Sequence, residues 1–182
     1  MSKPFALTFA GVPGSSKTII SNYLSVKFNL PVFNNDQLRF EVKEDMLAAD
    51  INEPKVLAEY EKRYKERFEE LLSTRHPMLL DGSVDRRWSQ TKLQLQQNGY
   101  SWFIISMDLS EEFLKNFFIA TGRPKFLAKL PGYIADHDNF NRLYSGDVGL
   151  SISDEKFTER IKLSVAALQH FLSELEINNP TG

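Results

Sequence analysis

Three consecutive stretches near the start constrain the fold most: FALTFA (5–10), GVPGSSKT (11–18) and KTIISNYLSVKF (17–28). The first is a short apolar run ending at a glycine, which suits a parallel strand buried on both faces. The last spaces its apolar residues near a helical period. A glycine-containing turn between such a strand and helix aims backbone N–H groups at one point and builds an anion site. A parallel strand also needs a crossover to its neighbour, so an α/β architecture follows. The turn nearly matches G-x-x-x-x-G-K-[ST], the Walker A pattern of phosphate-cradling loops. Gly11, Lys17 and Thr18 stand in register, and Ser16 occupies the place of the second glycine. On this reading Gly11, Pro13, Gly14, Ser15 and Ser16 form the cradle. Lys17 reaches the outer phosphates of ATP as a point charge, and Thr18 offers its hydroxyl to Mg2+. The alternative is an ordinary strand-to-helix turn with an exposed lysine.

The rest of the chain continues the alternation. PVFNND (31–36), PMLLDG (77–82), SWFIISMD (101–108) and VGLSIS (148–153) are expected strands. Helices are expected over 37–49, over 53–75, up to residue 97, after Ser110, and from Ser153–Glu155 to about Glu176. In the 53–75 helix Leu57, Tyr60, Tyr64, Phe68, Leu71 and Leu72 form an apolar stripe, read as core rather than base-stacking. Glu59–Arg63 and Glu61–Lys65 fall at i,i+4 on its wet faces. Ser110 is the expected cap of a helix whose first turn carries Glu111 and Glu112. Residues 121–147, with glycines, prolines and mixed charge, read as a partly helical, mobile lid insertion, and the tail NNPTG as frayed. With 182 residues, the expectation is a single domain: a three-layer α/β/α sandwich around a five-stranded parallel sheet, with a small lid.

Ligands of such sheets lie at the carboxyl ends of the strands. GVPGSSKT, NNDQLR, LLDGSVDRR and MDLSEE all fall there. Asp36 is placed to accept a proton from an attacking hydroxyl, or merely to cap the following helix. Arg39, a turn further on, is placed to clamp a phosphate on the acceptor. Asp81 suits an acid that holds magnesium, with turn formation before Gly82 as the alternative. Arg86 and Arg87, if helical, diverge by about 100°, so at most one of them faces the site. Arg123, Lys125 and Lys129 either close over phosphates or sit in solvent.

Composition excludes several other classes. There are no cysteines, hence neither disulfides nor thiolate metal sites. His76, His137 and His170 are scattered and read as surface or packing residues rather than metal ligands. A formal charge of -2 gives no bulk attraction to nucleic acid, which stays a weakly supported partner. No apolar run has the length to span a membrane, so a cytoplasmic protein is expected.

FAGVPGSSKT, FNNDQLR and LLDGSVDRRW together resemble the P-loop kinase group that contains the phage polynucleotide 5′-hydroxyl kinase and the zeta toxins. The resemblance implies that Lys17 and Thr18 bind ATP·Mg and that Asp36 is the base activating the acceptor. It implies an acceptor-side phosphate contact at Arg39, the acid after the third strand at Asp81, and a lid arginine at Arg123. The implied reaction moves the γ-phosphoryl group to a hydroxyl acceptor: a polynucleotide 5′ end, a nucleotide or a small metabolite. A P-loop module or ATPase without transfer is the alternative. The chain departs from the group's pattern at Ser16, at Asn35 in place of an arginine, and at Lys115. Ser16 either strains and crowds the loop or donates its hydroxyl to a phosphate.

Overall fold

The structure is a computed structural model that describes residues 3–47 and 53–177. Five parallel strands form one sheet in the order β2-β3-β1-β4-β5. They are β1 (Phe5–Gly11), β2 (Val32–Asn34), β3 (Met78–Ser83), β4 (Ser101–Met107) and β5 (Val148–Ile152). The helices are α1 (Lys17–Phe28), α2 (Asn35–Leu47), α3 (Glu53–Ser73), α4 (Trp88–Gln97), α5 (Glu111–Ala120), α6 (Leu130–Tyr144) and α7 (Arg160–Ile177).

The centre of the sheet goes to β1 because it is the strand with no polar cost. All seven of its residues are buried, and its one hydroxyl, on Thr8, donates to the Leu80 carbonyl. Its alternation builds the layers. Phe5, Leu7 and Phe9 face a core with Ile20 and Leu24 of α1, Leu114 and Phe118 of α5, and Leu168 of α7. Ala6 and Ala10 face the other side, with Phe68 and Leu72 of α3, Trp88 and Leu95 of α4, and Phe140 of α6. The small alanines on that face leave room for the large rings opposite, as close packing requires. The edge strands β2 and β5 are short and partly exposed.

Several expectations shift. Helix α7 starts at Arg160, not near Asp154, because Asp154 is engaged elsewhere: it accepts from the Ser110 amide (2.9 Å) and hydroxyl (2.6 Å). Phe157 instead turns inward against Phe113 and Phe117. Over 121–147 the chain is more ordered in architecture than a mobile insertion suggests. A short 3-10 helix, Pro124–Lys129, leads into α6, which buries Leu130, His137 and Phe140. Only 121–129 is left with the exposed character of a lid. Leu57 lies exposed off the apolar stripe of α3. Glu61 pairs with Arg87 rather than Lys65, which reaches Glu69, whereas Glu59–Arg63 forms at 2.7 Å as expected. The end of the expected 37–49 helix and the NNPTG tail lie outside the described residues. No helix among the described residues is long and apolar enough to cross a membrane.

Ser110 caps α5, its hydroxyl accepting from the Phe113 amide at 3.1 Å. Ser110→Ala removes that acceptor and the hydroxyl's bond to Asp154, leaving the amide's, and should destabilise the protein by about 1 kcal/mol. Urea denaturation should show a lower midpoint at unchanged slope.

Candidate active site

The loop after β1 is wound by three left-handed residues: Gly11 (φ 117°), Gly14 (φ 83°) and Ser16 (φ 77°). A side chain at Gly11 is impossible for a second reason, since its Cβ would lie 2.9 Å from the Met107 carbonyl oxygen on β4. Ser16 adopts the left-handed backbone with a Cβ, at a cost of roughly 1–2 kcal/mol. Lys17, with 8% exposure, folds back over the loop: Nζ donates to the carbonyls of Gly11 (2.5 Å) and Val12 (2.7 Å). Burial pulls its pKa down to about 8, against the opposing pull of Asp85 and Asp81. The amides at the start of α1 thus share their mouth with a buried ammonium, and no acidic residue occupies that first turn. Such a mouth attracts anions.

The loop forms one wall of a cleft of about 580 Å³. Gly11, Pro13, Gly14, Ser16, Lys17 and Thr18 line that wall, while Ser15 is fully buried beneath it with its hydroxyl 3.4 Å from the lysine. Asp36, Arg39, Asp81, Arg86 and Arg123 line the others, whereas Lys125 and Lys129, grouped with Arg123 in the sequence, do not line it. Asp36 sits in the first turn of α2 but does not cap it. Asn34 does, its Oδ1 accepting from the amides of Asp36 (2.9 Å) and Gln37 (3.0 Å). The capping alternative for Asp36 therefore falls, and its carboxylate is spare. Asp81, at 9% exposure, has its pKa raised by burial, with nearby Asp36 adding to the shift and Lys17 opposing it.

The arginines depart from expectation in one respect. Arg86 and Arg87 both line the cleft, because they lie in the turn before α4, where the helical 100° spacing does not apply. Arg86 pairs with Asp136 (2.5 Å), whereas Arg87 pairs with Glu61 and lies over Tyr64. Arg39 stands 5.0 Å over the Tyr60 ring. Arg123 Nη1 donates to the Gly14 carbonyl at 3.2 Å, spanning from the lid to the loop.

Thr18 and Asp81 both line the cleft and supply side-chain oxygens there that could serve a magnesium ion. Among the described residues no cluster of three or more acidic or histidine side chains forms a metal cage of its own. One or two protein oxygens suit magnesium, which takes its remaining ligands from water and substrate phosphates.

No protein-family model matches the chain, and no curated protein matches it in sequence. Solved structures do match in shape. A gluconokinase from Sinorhizobium meliloti superposes with a TM-score of 0.64 at 18% identity, over 98% of this chain and 99% of that one. The PezAT toxin–antitoxin structure from Streptococcus pneumoniae gives 0.59 at 16% identity, over 86% and 70%. The Mycobacterium tuberculosis APS kinase CysC, in complex with AMPPNP and APS, gives 0.54 at 16% identity, over 93% and 99%. The fold is that of the P-loop kinases.

Within this P-loop kinase fold lies a buried charge array that sequence reasoning missed. Asp85 accepts from the Gly11 amide (3.0 Å), from the Ser83 hydroxyl and from His137 Nδ1 (2.6 Å). His137 Nε2 donates to Asp108 (2.8 Å), which also accepts from Ser106 (2.6 Å), Ser151 and Asn141 (3.1 Å). Burial alone would neutralise all three groups. The hydrogen bonds outweigh it, pushing His137 up to about 9 and holding Asp85 and Asp108 below the usual carboxylate range. The imidazolium donates from both nitrogens. Asp85 thus has its oxygens committed and acts as a clamp on the phosphate loop. The histidine expected at the surface or in packing is buried, as an ion between two carboxylates. Its only sequence trace was one histidine in a segment read as a lid.

The sign of the resulting pH dependence follows from the raised histidine. Its stabilisation is complete below the unfolded value near 6.5 and is lost as pH rises through about 9. The advantage of the parent over His137→Gln in urea-derived unfolding free energy should therefore shrink by on the order of 2 kcal/mol between pH 6.5 and 9.5, while Lys17, lowered to about 8, adds stability over the same window in both proteins.

Proposed function

We propose that this protein is an ATP-dependent phosphotransferase that moves a γ-phosphoryl group onto a hydroxyl acceptor. The observation that carries the reading is the shared cleft: Lys17 on the anion-binding loop and the spare carboxylate of Asp36 line the same space. Lys17 exchanges the Gly11 and Val12 carbonyls for the β- and γ-phosphates. Thr18 and Asp81 would hold magnesium, which when bound would neutralise charge on those phosphates. Asp36 takes the proton of the attacking hydroxyl, Arg39 and Arg86 position the acceptor, and Arg123 screens the transferred group. Catalysis of this kind is almost entirely positioning and charge stabilisation.

The acceptor wall favours a small anionic metabolite over a polynucleotide end. Four arginines line the cleft of about 580 Å³, and two of them, Arg87 and Arg86, are partnered by Glu61 and Asp136. The gluconokinase and APS kinase neighbours are named for small molecules, and the latter's structure holds AMPPNP and APS. The protein's charge of -2 supports no nucleic-acid surface.

Transfer from γ-labelled ATP to a panel of sugar acids, nucleotides and 5′-hydroxyl oligonucleotides tests the reading. Asp36→Asn should lower transfer by roughly 10²–10⁴-fold while ATP affinity hardly moves. Turnover that no acceptor stimulates would favour the ATPase or binding-module alternative.

The exposed 121–129 stretch, tied to the loop by Arg123, is proposed to close over bound nucleotide. Hydrogen exchange there should slow when AMPPNP is added; unchanged protection would count against closure.

A further inference from the structure

Ser16 has a partner from the far end of the chain. Arg160, the first residue of α7, directs Nη2 to the Ser16 hydroxyl oxygen at 3.3 Å. Nη1 donates to the Phe157 carbonyl (2.8 Å), and the guanidinium lies 4.1 Å over the Phe157 ring. Its Nε–H is buried without a hydrogen-bond partner, and no carboxylate among the described residues forms an ion pair with it. A buried donor left unpaired is costly, and so is a cation beside the N-terminus of a helix. Here that helix is α1, whose mouth already holds the Lys17 ammonium. Negative charge over the loop would offset both cations beyond what Asp85 and Asp81 give Lys17.

The chemistry of the hydroxyl gives the link. An arginine has donors only, so Ser16 Oγ must accept from it. The hydroxyl's own hydrogen is then left to donate elsewhere, and Ser16 lines the cleft. A guanidinium donating into the oxygen polarises that O–H, since hydrogen bonds in a chain strengthen one another.

We propose that Arg160 and Ser16 form a relay, guanidinium to hydroxyl to phosphate oxygen, that takes the place of the glycine expected before the loop lysine. Arg160 is a positioning residue in it, acting through Ser16. The proposal rests on the phosphate-loop reading of residues 11–18. The hydroxyl donor compensates for the left-handed backbone that a Cβ makes unfavourable at Ser16.

A double-mutant cycle on AMPPNP·Mg affinity, measured by calorimetry, tests this. Ser16→Ala keeps the Cβ and removes the hydroxyl, while Arg160→Met keeps the stem over Phe157 and removes the donors. Each single change should weaken binding about tenfold, and the double variant should stay within about twofold of either. In a Ser16→Gly background Arg160→Met should have no effect on affinity. Effects that multiply to about a hundredfold, or an Arg160→Met variant that binds like the parent, would overturn the relay. So would coupling seen in the melting temperature of the nucleotide-free variants but not in affinity, which marks a structural tie only. If Arg160→Met does not fold, Arg160→Leu, which also lacks donors, takes its place with the same coupling expected; if neither folds, a Ser16→Ala variant that binds like the parent overturns the relay. A parent that binds neither ATP nor AMPPNP overturns the phosphate-loop reading and the relay together. A parent that binds without coupling overturns the relay alone.

Discussion

The carboxylate of Asp85 on the amide of Gly11 is the contact from which the site is built. Strand β1 delivers Gly11 to the carboxyl edge of the sheet, and the turn there is pressed against Met107, with no space for a side chain. Asp85 fixes the orientation of that first amide, and the remaining loop winds from it through Gly14 and Ser16 to the head of α1. His137 and Asp108 hold Asp85 in turn, so β3, β4, α6 and the loop share one buried network. Such a network is rigid only when every member is satisfied, and the serines and Asn141 complete it.

Charge is distributed unevenly around that anchor. Carboxylates inside the fold are matched: Asp85 and Asp108 share a protonated histidine, and Asp154 is occupied by Ser110. At the cleft mouth the balance shifts to cations, with Lys17 and Arg123 at the loop and Arg39 opposite. Asp36, Asp81, Asp85 and Asp136 are the acids that line the cleft, and burial raises the pKa of Asp81. Ser16 holds its strained backbone on the wall of that cleft, and such strain concentrates at functional sites.

The architecture was legible in the sequence because it rests on local signals. The apolar run of β1, the Ser110 cap, the helical stripe of α3 and the loop motif are each contained within a few residues or turns. Binary patterning then dictates that strands alternate with helices and that their carboxyl ends carry the ligand residues. That rule draws Lys17, Thr18, Asp36, Arg39, Asp81 and Arg86 together, the family resemblance adds Arg123, and the fold places all of them on one cleft.

What the sequence left open involves contacts between residues far apart along the chain. Asp154 looks locally like a helix opener, but a serine 44 positions away claims it, and α7 begins later. Asp36 looks like a cap until the geometry of the turn hands that role to Asn34. His137 and Asp85 are separated by 52 residues, and Arg160 and Ser16 by 144. Neither pairing leaves a periodicity, a spacing or a turn signal for local reading to detect. The chain by itself determined the parallel sheet and the position of its phosphate loop, because those follow from backbone hydrogen bonding and the burial of short apolar runs. Only the tertiary structure decided which polar side chains are consumed as internal partners and which remain free in the cleft, because desolvation makes every buried charge depend on whichever distant group is packed against it.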